Sequence, residues 1–478
     1  MAAHVTAARV QALLGTSWER SPLYAALADG LRRLIADGRI PAGTRLPSER
    51  QLTDRLAVSR TTVTRAYDLL REHGYLRSRQ GSGSVATLPQ RDAARTDSVL
   101  SPGQGGEDLL DLTCAAPVTA PVVAEAFEAA VSDLGAFLTG TGYFPSGLPA
   151  LKQRIADWYE ERGLPTRPDQ VLVTNGALSA AAVVSRALTG VGDRVLVETP
   201  GYPNVLAGLQ RSGVRLVPTT VHPDGWDLDA LASAVAGTRP QAAFLVLDFH
   251  NPTGSLMPDA QRAELGRILR RSRTVAVVDE TLVDMVLDDV AMPAPMAAHL
   301  ADCVLIGSAS KAFWGGLRIG WIRSPRARAG EVIAARLGLD LGAPLVEQLA
   351  LRHLMDRREE VLRLHRDRAR TSRDVLAASL RARLPRWRFA PPAGGLALWC
   401  ELPEPVSTAV AAAAARHGLL LAPGPSFTID GTHERFLRLP YTHPAEVMAS
   451  VGERLADSWT DAVGERGPRR PPPVPLVA

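Results

Sequence analysis

The first part of the chain sets apolar residues at helical spacing; the later part sets them in unbroken runs. Leu23, Leu27, Leu31, Leu34 and Ile35 predict an amphipathic helix over 23–37. Ile40-Pro41-Ala42-Gly43 breaks it. Ser48 before Glu49-Arg50-Gln51 predicts a capped short helix through Leu56. Ser59 predicts the cap of a third, over 60–73, closed by Gly74. Val63, Ala66, Tyr67 and Leu70 form its inner stripe, so Arg60, Thr61, Thr64, Arg65 and Asp68 face outward. Between Tyr75 and Thr87, Gly81-Ser82-Gly83 separates two short β-prone pieces and predicts a hairpin. Residues 1–17 carry weak patterning and read as a short arm.

Residues 88–108 are rich in Pro, Gly, Asp, Arg and Ser and read as a linker. Beyond them the period changes. Val171–Val173, Arg194–Val197, Ala243–Leu247, Val275–Val278 and Cys303–Ile306 are continuous apolar strands, several separated by helical stretches at 148–161, 176–188 and 258–271. That alternation predicts an α/β fold, a mostly parallel sheet with helices on both faces. Residues 346–380 are helix-rich, and 384–460 read as a smaller α+β unit. The predicted domains are 18–88, a linker at 89–108, a body at 109–466 with a small subdomain over 346–466, and a disordered tail at 467–478.

Charge changes the picture only at the N-terminus. The whole chain carries +4, yet residues 18–88 hold twelve arginines against seven acidic residues, a net of +5. A basic block of three helices and a hairpin predicts a winged helix-turn-helix that meets double-stranded DNA. The candidate contacts are Arg45, Ser48, Arg50, Ser59, Arg60, Thr61, Thr62, Thr64, Arg65 and Gly81. Arg grips guanine or phosphate through paired bonds, and Thr bonds phosphate or touches a thymine methyl. No apolar run reaches about 18 residues, so no membrane span is expected. Cys114, Cys303 and Cys400 lack metal-ligand spacing and read as small core residues of a reduced, cytoplasmic protein.

Composition singles out one residue. Of 54 basic residues only Lys152 and Lys311 are lysines. Lys311 stands in Gly307-Ser308-Ala309-Ser310-Lys311-Ala312-Phe313-Trp314-Gly315-Gly316-Leu317-Arg318. Guanidinium stays protonated, whereas an amine can condense with an aldehyde, as in a Schiff base with pyridoxal phosphate. The other needs of that cofactor find candidates at strand ends. Gly176 and Ala177 at a strand-to-helix turn, with Ser308, Ser310 and Arg318, suit its phosphate. Asp279 suits its pyridine nitrogen, Asn251 its phenolic oxygen and Tyr202 its ring face. Each alone has a plain structural explanation: a turn, a cap, a packed aromatic.

Together they carry a resemblance. Pro22-Leu23-Tyr24, Ile40–Arg50, Ser59–Val63 and Gly74-Tyr75-Leu76 resemble GntR-family DNA-binding domains. Residues 109–460 resemble class I aminotransferases of fold type I, through Thr174-Asn175-Gly176, Tyr202, Asn251, Asp279, Lys311 and Arg318. The resemblance implies that Tyr143 reaches the phosphate in a partner subunit and that Arg438 binds a substrate or effector carboxylate. A GntR-type head on such a body is similar to MocR-type transcriptional regulators. It implies a homodimer that reads an operator and responds to an amino compound or to pyridoxal phosphate. One position departs: where the family has a Tyr two or three residues after the aspartate, this chain has Thr281 and Leu282. Loss of that donor favours sensing. The alternatives are an active aminotransferase carrying a DNA-binding head, and a regulator whose body is empty.

Overall fold

The computed structural model describes residues 4–15, 18, 21–36, 40, 44–79, 83–87 and 109–464. Gly81, the predicted linker 89–108 and the predicted tail 467–478 lie outside the described residues. The chain divides into two compact units, residues 1–101 and 102–478.

Among its described residues the first unit holds four helices and a hairpin: α1 (Ala7–Leu14), α2 (Leu23–Ala36), α3 (Glu49–Leu56), α4 (Arg60–Glu72), β1 (Leu76–Arg79) and β2 (Gly83–Ala86). The arm expected over 1–17 is in part a helix. Thr6 caps α1 by accepting from the Arg9 amide at 3.2 Å, and Val10 and Leu14 enter the core. Gly30 on α2 makes room, since a Cβ there would lie 2.7 Å from a Leu14 methyl. Ser48 and Gln51 form a reciprocal capping box on α3, and Ser59 caps α4. β1 and β2 pair antiparallel, Leu76 opposite Ala86. Tyr67 is fully buried and donates to the Pro47 carbonyl at 2.8 Å.

The second unit is built on eight strands: β4 (Val171–Thr174), β5 (Arg194–Thr199), β6 (Arg215–His222), β7 (Gly225–Trp226), β8 (Ala242–Leu245), β9 (Val275–Asp279), β10 (Cys303–Ser308) and β11 (Gly320–Arg323). Their order is β4-β11-β10-β9-β8-β5-β6-β7. β10, β9, β8, β5 and β6 run parallel; β11 is antiparallel to β10 and β4, and β7 to β6. The apolar runs are continuous because both faces are covered. Cys303 and Leu305 of β10 enter the core on one face, Val304 and Ile306 the core on the other. The Leu, Val and Ile side chains each contribute roughly 1.5–3 kcal/mol by leaving water.

A smaller three-stranded sheet follows, β12 (Ala397–Glu401), β15 (Phe436–Pro440) and β14 (Ala422–Pro423) in that order. The helices Arg358–Arg383 and Ala445–Gly464 cover it. The body's first segment joins this lobe too: β3 (Leu110–Asp111) pairs parallel with β13 (Leu419–Leu420), and Leu112 enters its core. Register then aligns one edge of the large sheet. Thr174 opposes Gly320, Gly320 opposes Ser308, and Asp279 opposes Ile306.

Candidate cofactor and effector site

At that edge β4 ends in Thr174, and Gly176 begins the helix Ala177–Leu188. Gly176 has φ +85°, and no side chain caps this helix, so its first amides are open to an anion. A Cβ on Gly176 would lie 2.6 Å from Nη2 of Arg318; one on Gly320 would lie 2.6 Å from the Gly176 carbonyl carbon. Backbone close approach requires glycine at 320, and the positive φ favours it at 176. Arg318 is exposed, takes the left-handed conformation at φ 50°, and has no ion pair among the described residues. Open amides and an unpaired guanidinium are the donors that an anion such as a phosphate takes up. The back of this turn is fixed: Asn175 donates to Asp340 at 3.1 Å, and Arg336 donates both to Asp340 and to the Val173 carbonyl.

Lys311 sits on the one-turn helix Ala309–Ala312 that follows β10, with the Ser308 hydroxyl accepting from the Ser310 amide at 3.2 Å. Ser308 and Ser310 are buried beside it. Burial lowers the Lys311 pKa to about 8; Arg438 and Arg318 act in the same direction, opposed by Cys114 and Asp279. A useful fraction of the amine is thus unprotonated near neutrality, as attack on a carbonyl requires.

Asp279, one strand away, has its pKa raised by burial, an effect that bonds from Thr281 oppose. The Thr281 amide donates to Oδ1 at 2.8 Å, and its hydroxyl donates to the same oxygen. That carboxylate lacks a cation at hydrogen-bond distance among the described residues and would gain one from a protonated pyridine nitrogen. Thr281 therefore holds the aspartate, while Leu282 packs against the core of the small lobe. Tyr202 lines a cavity with Asp279, Gly201 and Ile306 at the strand ends. Its hydroxyl accepts from Asn204 at 2.9 Å, and burial raises its pKa.

Arg438 enters from β15. It is fully buried, donates to Asn251 Oδ1 at 3.3 Å and to the Thr113 carbonyl, and lies 5.0 Å over the Phe427 ring. Its Nε has no partner, and no carboxylate pairs with it among the described residues. Burial lowers its pKa to about 10. A buried cation so placed calls for an anion. Tyr143, by contrast, is 65% exposed on this chain.

Cys114 is a correction to the sequence reading. Cys303 and Cys400 are fully buried, but Cys114 is half-buried and lies within electrostatic range of Lys311, Tyr202 and Arg438. Nothing in its sequence surroundings marks it.

In the head, Arg45, Arg50, Arg60 and Thr61 are exposed. Ser48 and Ser59 are engaged as caps, and the Ser59 and Thr62 hydroxyls bond at 2.8 Å. Thr64 donates to Glu49 at 2.8 Å, and the Arg65 guanidinium stacks 4.2 Å from the Tyr24 ring centre.

Comparison with known proteins bears on both units. Residues 109–455 match the aminotransferase class I and II family, and residues 23–85 match the bacterial regulatory proteins of the gntR family. The HTH-type pyridoxine biosynthesis transcriptional regulator PdxR of Corynebacterium glutamicum is 30% identical over 406 residues, 79% of this chain and 83% of that protein. The probable rhizopine catabolism regulatory protein MocR of Rhizobium meliloti is 31% identical over 327 residues, 64% of this chain and 66% of that one. Among solved structures, the α-aminoadipate aminotransferase LysN of Thermus thermophilus superposes with a TM-score of 0.70 at 26% identity. That match covers 78% of this chain and 96% of LysN, which was complexed with N-(5'-phosphopyridoxyl)-L-leucine. Head and body together define a DNA-binding regulator on a pyridoxal 5'-phosphate-dependent aminotransferase fold. The chain belongs to the MocR-type regulators, a gntR-family head joined to an aminotransferase class I and II body. No helix among the described residues is long and apolar enough to cross a membrane.

Proposed function

We propose that this protein is a cytoplasmic, homodimeric transcriptional regulator whose head binds an operator and whose body takes an amino compound, or pyridoxal phosphate itself, as effector. Pyridoxal phosphate, when bound, supplies an aldehyde and an electron-withdrawing ring. The residues present fit it: Gly176 leaves a cradle that a Cβ would fill, and Arg438 keeps a buried donor without a partner. Lys311 would hold the aldehyde carbon. Gly176, Ala177, Ser308, Ser310 and Arg318 would hold the phosphate, with Tyr143 contributed to the partner subunit's site. Asp279 would hold the pyridine nitrogen, Asn251 the phenolic oxygen and Tyr202 the ring face. Arg438 would bind an effector carboxylate.

The observation that carries regulation over catalysis is Thr281. Its hydroxyl is engaged by Asp279, and Leu282 beside it offers no donor. The body keeps the means to hold a cofactor but lacks one usual contact to its phenolic oxygen, a loss of about 1 kcal/mol. An effector shifts DNA binding only by its unequal affinity for two arrangements of the dimer. Titrating pyridoxal phosphate and a panel of amines and amino acids, while following visible absorbance and operator affinity, tests this. A matched change in both is expected; operator affinity indifferent to every compound that alters the absorbance refutes it. The likeness to LysN favours a second reading, an active aminotransferase with a DNA-binding head. Sustained turnover of amino donors and keto acids would establish that one.

A further inference from the structure

We propose that Cys114 is a wall of the effector pocket and a specificity-determining residue for the ligand held between Lys311 and Arg438. The inference rests on the reading of that space as an effector pocket.

The segment carrying Cys114 is held rigidly from several sides. β3 is pinned to β13, with the Leu110 amide donating to the Gly418 carbonyl and the Leu112 amide to the Leu420 carbonyl, both at 2.9 Å. Asp111 Oδ1 accepts from the Thr113 amide at 2.8 Å and from the Thr113 hydroxyl at 2.6 Å. Arg438 donates to the Thr113 carbonyl, and the Thr442 hydroxyl donates to the Cys114 carbonyl at 3.5 Å. Both carbonyls flanking the Cys114 Cα are thus held by β15 and the turn after it, so the backbone that carries the thiol is fixed beside Arg438. Its sulfur is close enough to influence Lys311, Tyr202 and Arg438, which come from three different parts of the fold. Independently, Arg438 keeps its Nε fully buried and unpartnered. An anion that takes up that donor lies next to the residue 113–114 backbone. Cys114 is also partly exposed, whereas Cys303 and Cys400 are sealed in the core.

A ligand reaching from Lys311 to Arg438 therefore passes against the sulfur. A thiol behaves there as a small, soft apolar wall. It sets how much volume is available near the ligand's carboxylate end, and an occupied pocket and a modified thiol exclude each other.

The test uses full-length protein and iodoacetamide, which joins carbon to the sulfur, releases iodide and passes the thiol proton to solvent. Site-resolved mass spectrometry follows labelling at each cysteine, with and without N-(5'-phosphopyridoxyl)-L-leucine, whose binding is followed by its absorbance. Cys114 is expected to label alone, and roughly tenfold more slowly with the adduct bound. Cys114→Phe is expected to weaken the leucine adduct at least roughly tenfold, the low end of what a single misplaced methylene costs in a fitted pocket, while pyridoxal phosphate binds as before. Equal losses for both ligands would mean a merely structural residue and overturn the proposal. Unchanged Cys114 labelling with the adduct demonstrably bound would also overturn it, leaving the effector reading intact. Failure of the adduct to bind would overturn both.

Discussion

Arg438 reaches from the small lobe to the end of the large sheet, its Nη1 donating to Oδ1 of Asn251 at 3.3 Å. A residue proposed for an effector carboxylate is thereby tied to one proposed for the cofactor. Arg438→Met tests the tie. It removes a buried cation but leaves Asn251 and the Thr113 carbonyl unpaired, so the net stability change is expected within about 1–3 kcal/mol. Amino acid ligands should lose at least ~30-fold in affinity, the equivalent of about 2 kcal/mol for a charge-assisted contact. Amines without a carboxylate should be little affected. Calorimetric titration of matched pairs, such as an amino acid and its decarboxylated amine, decides; equal losses refute the assignment.

The lowered pKa of Lys311 gives a signed pH dependence. With a folded value of about 8 against an ordinary 10.5, the amine is protonated below pH 8 and free above it. Capture of pyridoxal phosphate by cofactor-free protein should rise about tenfold per pH unit and level off above pH 8. Stability of that form should rise between about pH 8 and 10.5, where the unfolded chain binds the extra proton. A capture profile still climbing steeply at pH 10 contradicts the burial argument. Stopped-flow absorbance from pH 6 to 10 measures it.

Gly176→Ala should spare the fold and damage the cradle. The new methyl group would displace the Arg318 guanidinium, and φ +85° is strained for alanine by about 1–2 kcal/mol. Pyridoxal phosphate affinity is expected to fall at least ~tenfold, read by fluorescence titration. Unaltered affinity would place the phosphate elsewhere.

Thr281→Val removes one of the two bonds that Thr281 makes to Asp279 and keeps the backbone one. About 1 kcal/mol of support for the carboxylate goes with it, so cofactor affinity should drop about fivefold. A loss of operator binding without any change in cofactor affinity would show that Thr281 serves another purpose.

In the head, Arg60→Ala and Arg65→Ala should each weaken operator binding with cofactor absorbance unchanged. If either contacts phosphate, the slope of log affinity against log salt should fall by about one. Arg65→Ala also loses its stacking on Tyr24, so a lower melting temperature is expected there and not for Arg60→Ala. Binding unaltered in both variants removes α4 from the DNA interface. Fluorescence anisotropy over a salt series supplies the data.

The strands that carry the site were legible because their residues are apolar on both faces. β9 and β10 could be read directly, and with them Asp279 and Lys311. β6 was not legible: it is exposed along much of its length and interrupted by Pro218, so it leaves no apolar run. α1 fully buries only Val10 and Leu14, too few to show a period. The pairing of β3 with β13 joins residues about three hundred positions apart through two-residue strands, which no local pattern announces. The placement of Cys114, three residues after β3, depends on that pairing. Asp340, which braces the phosphate turn through Asn175, was hidden for the same reason: its meaning lies in a contact 165 positions away.

Arg438 rides on the three-stranded sheet and Lys311 on the eight-stranded one. A molecule that grips both acts as a strap between the lobes, and its length sets how closely they draw together. Effector length then becomes a ruler. Across a series of amino acids with amine and carboxylate set progressively further apart, operator affinity is expected to change in steps and not merely to switch, a trend that gel-shift titration would reveal.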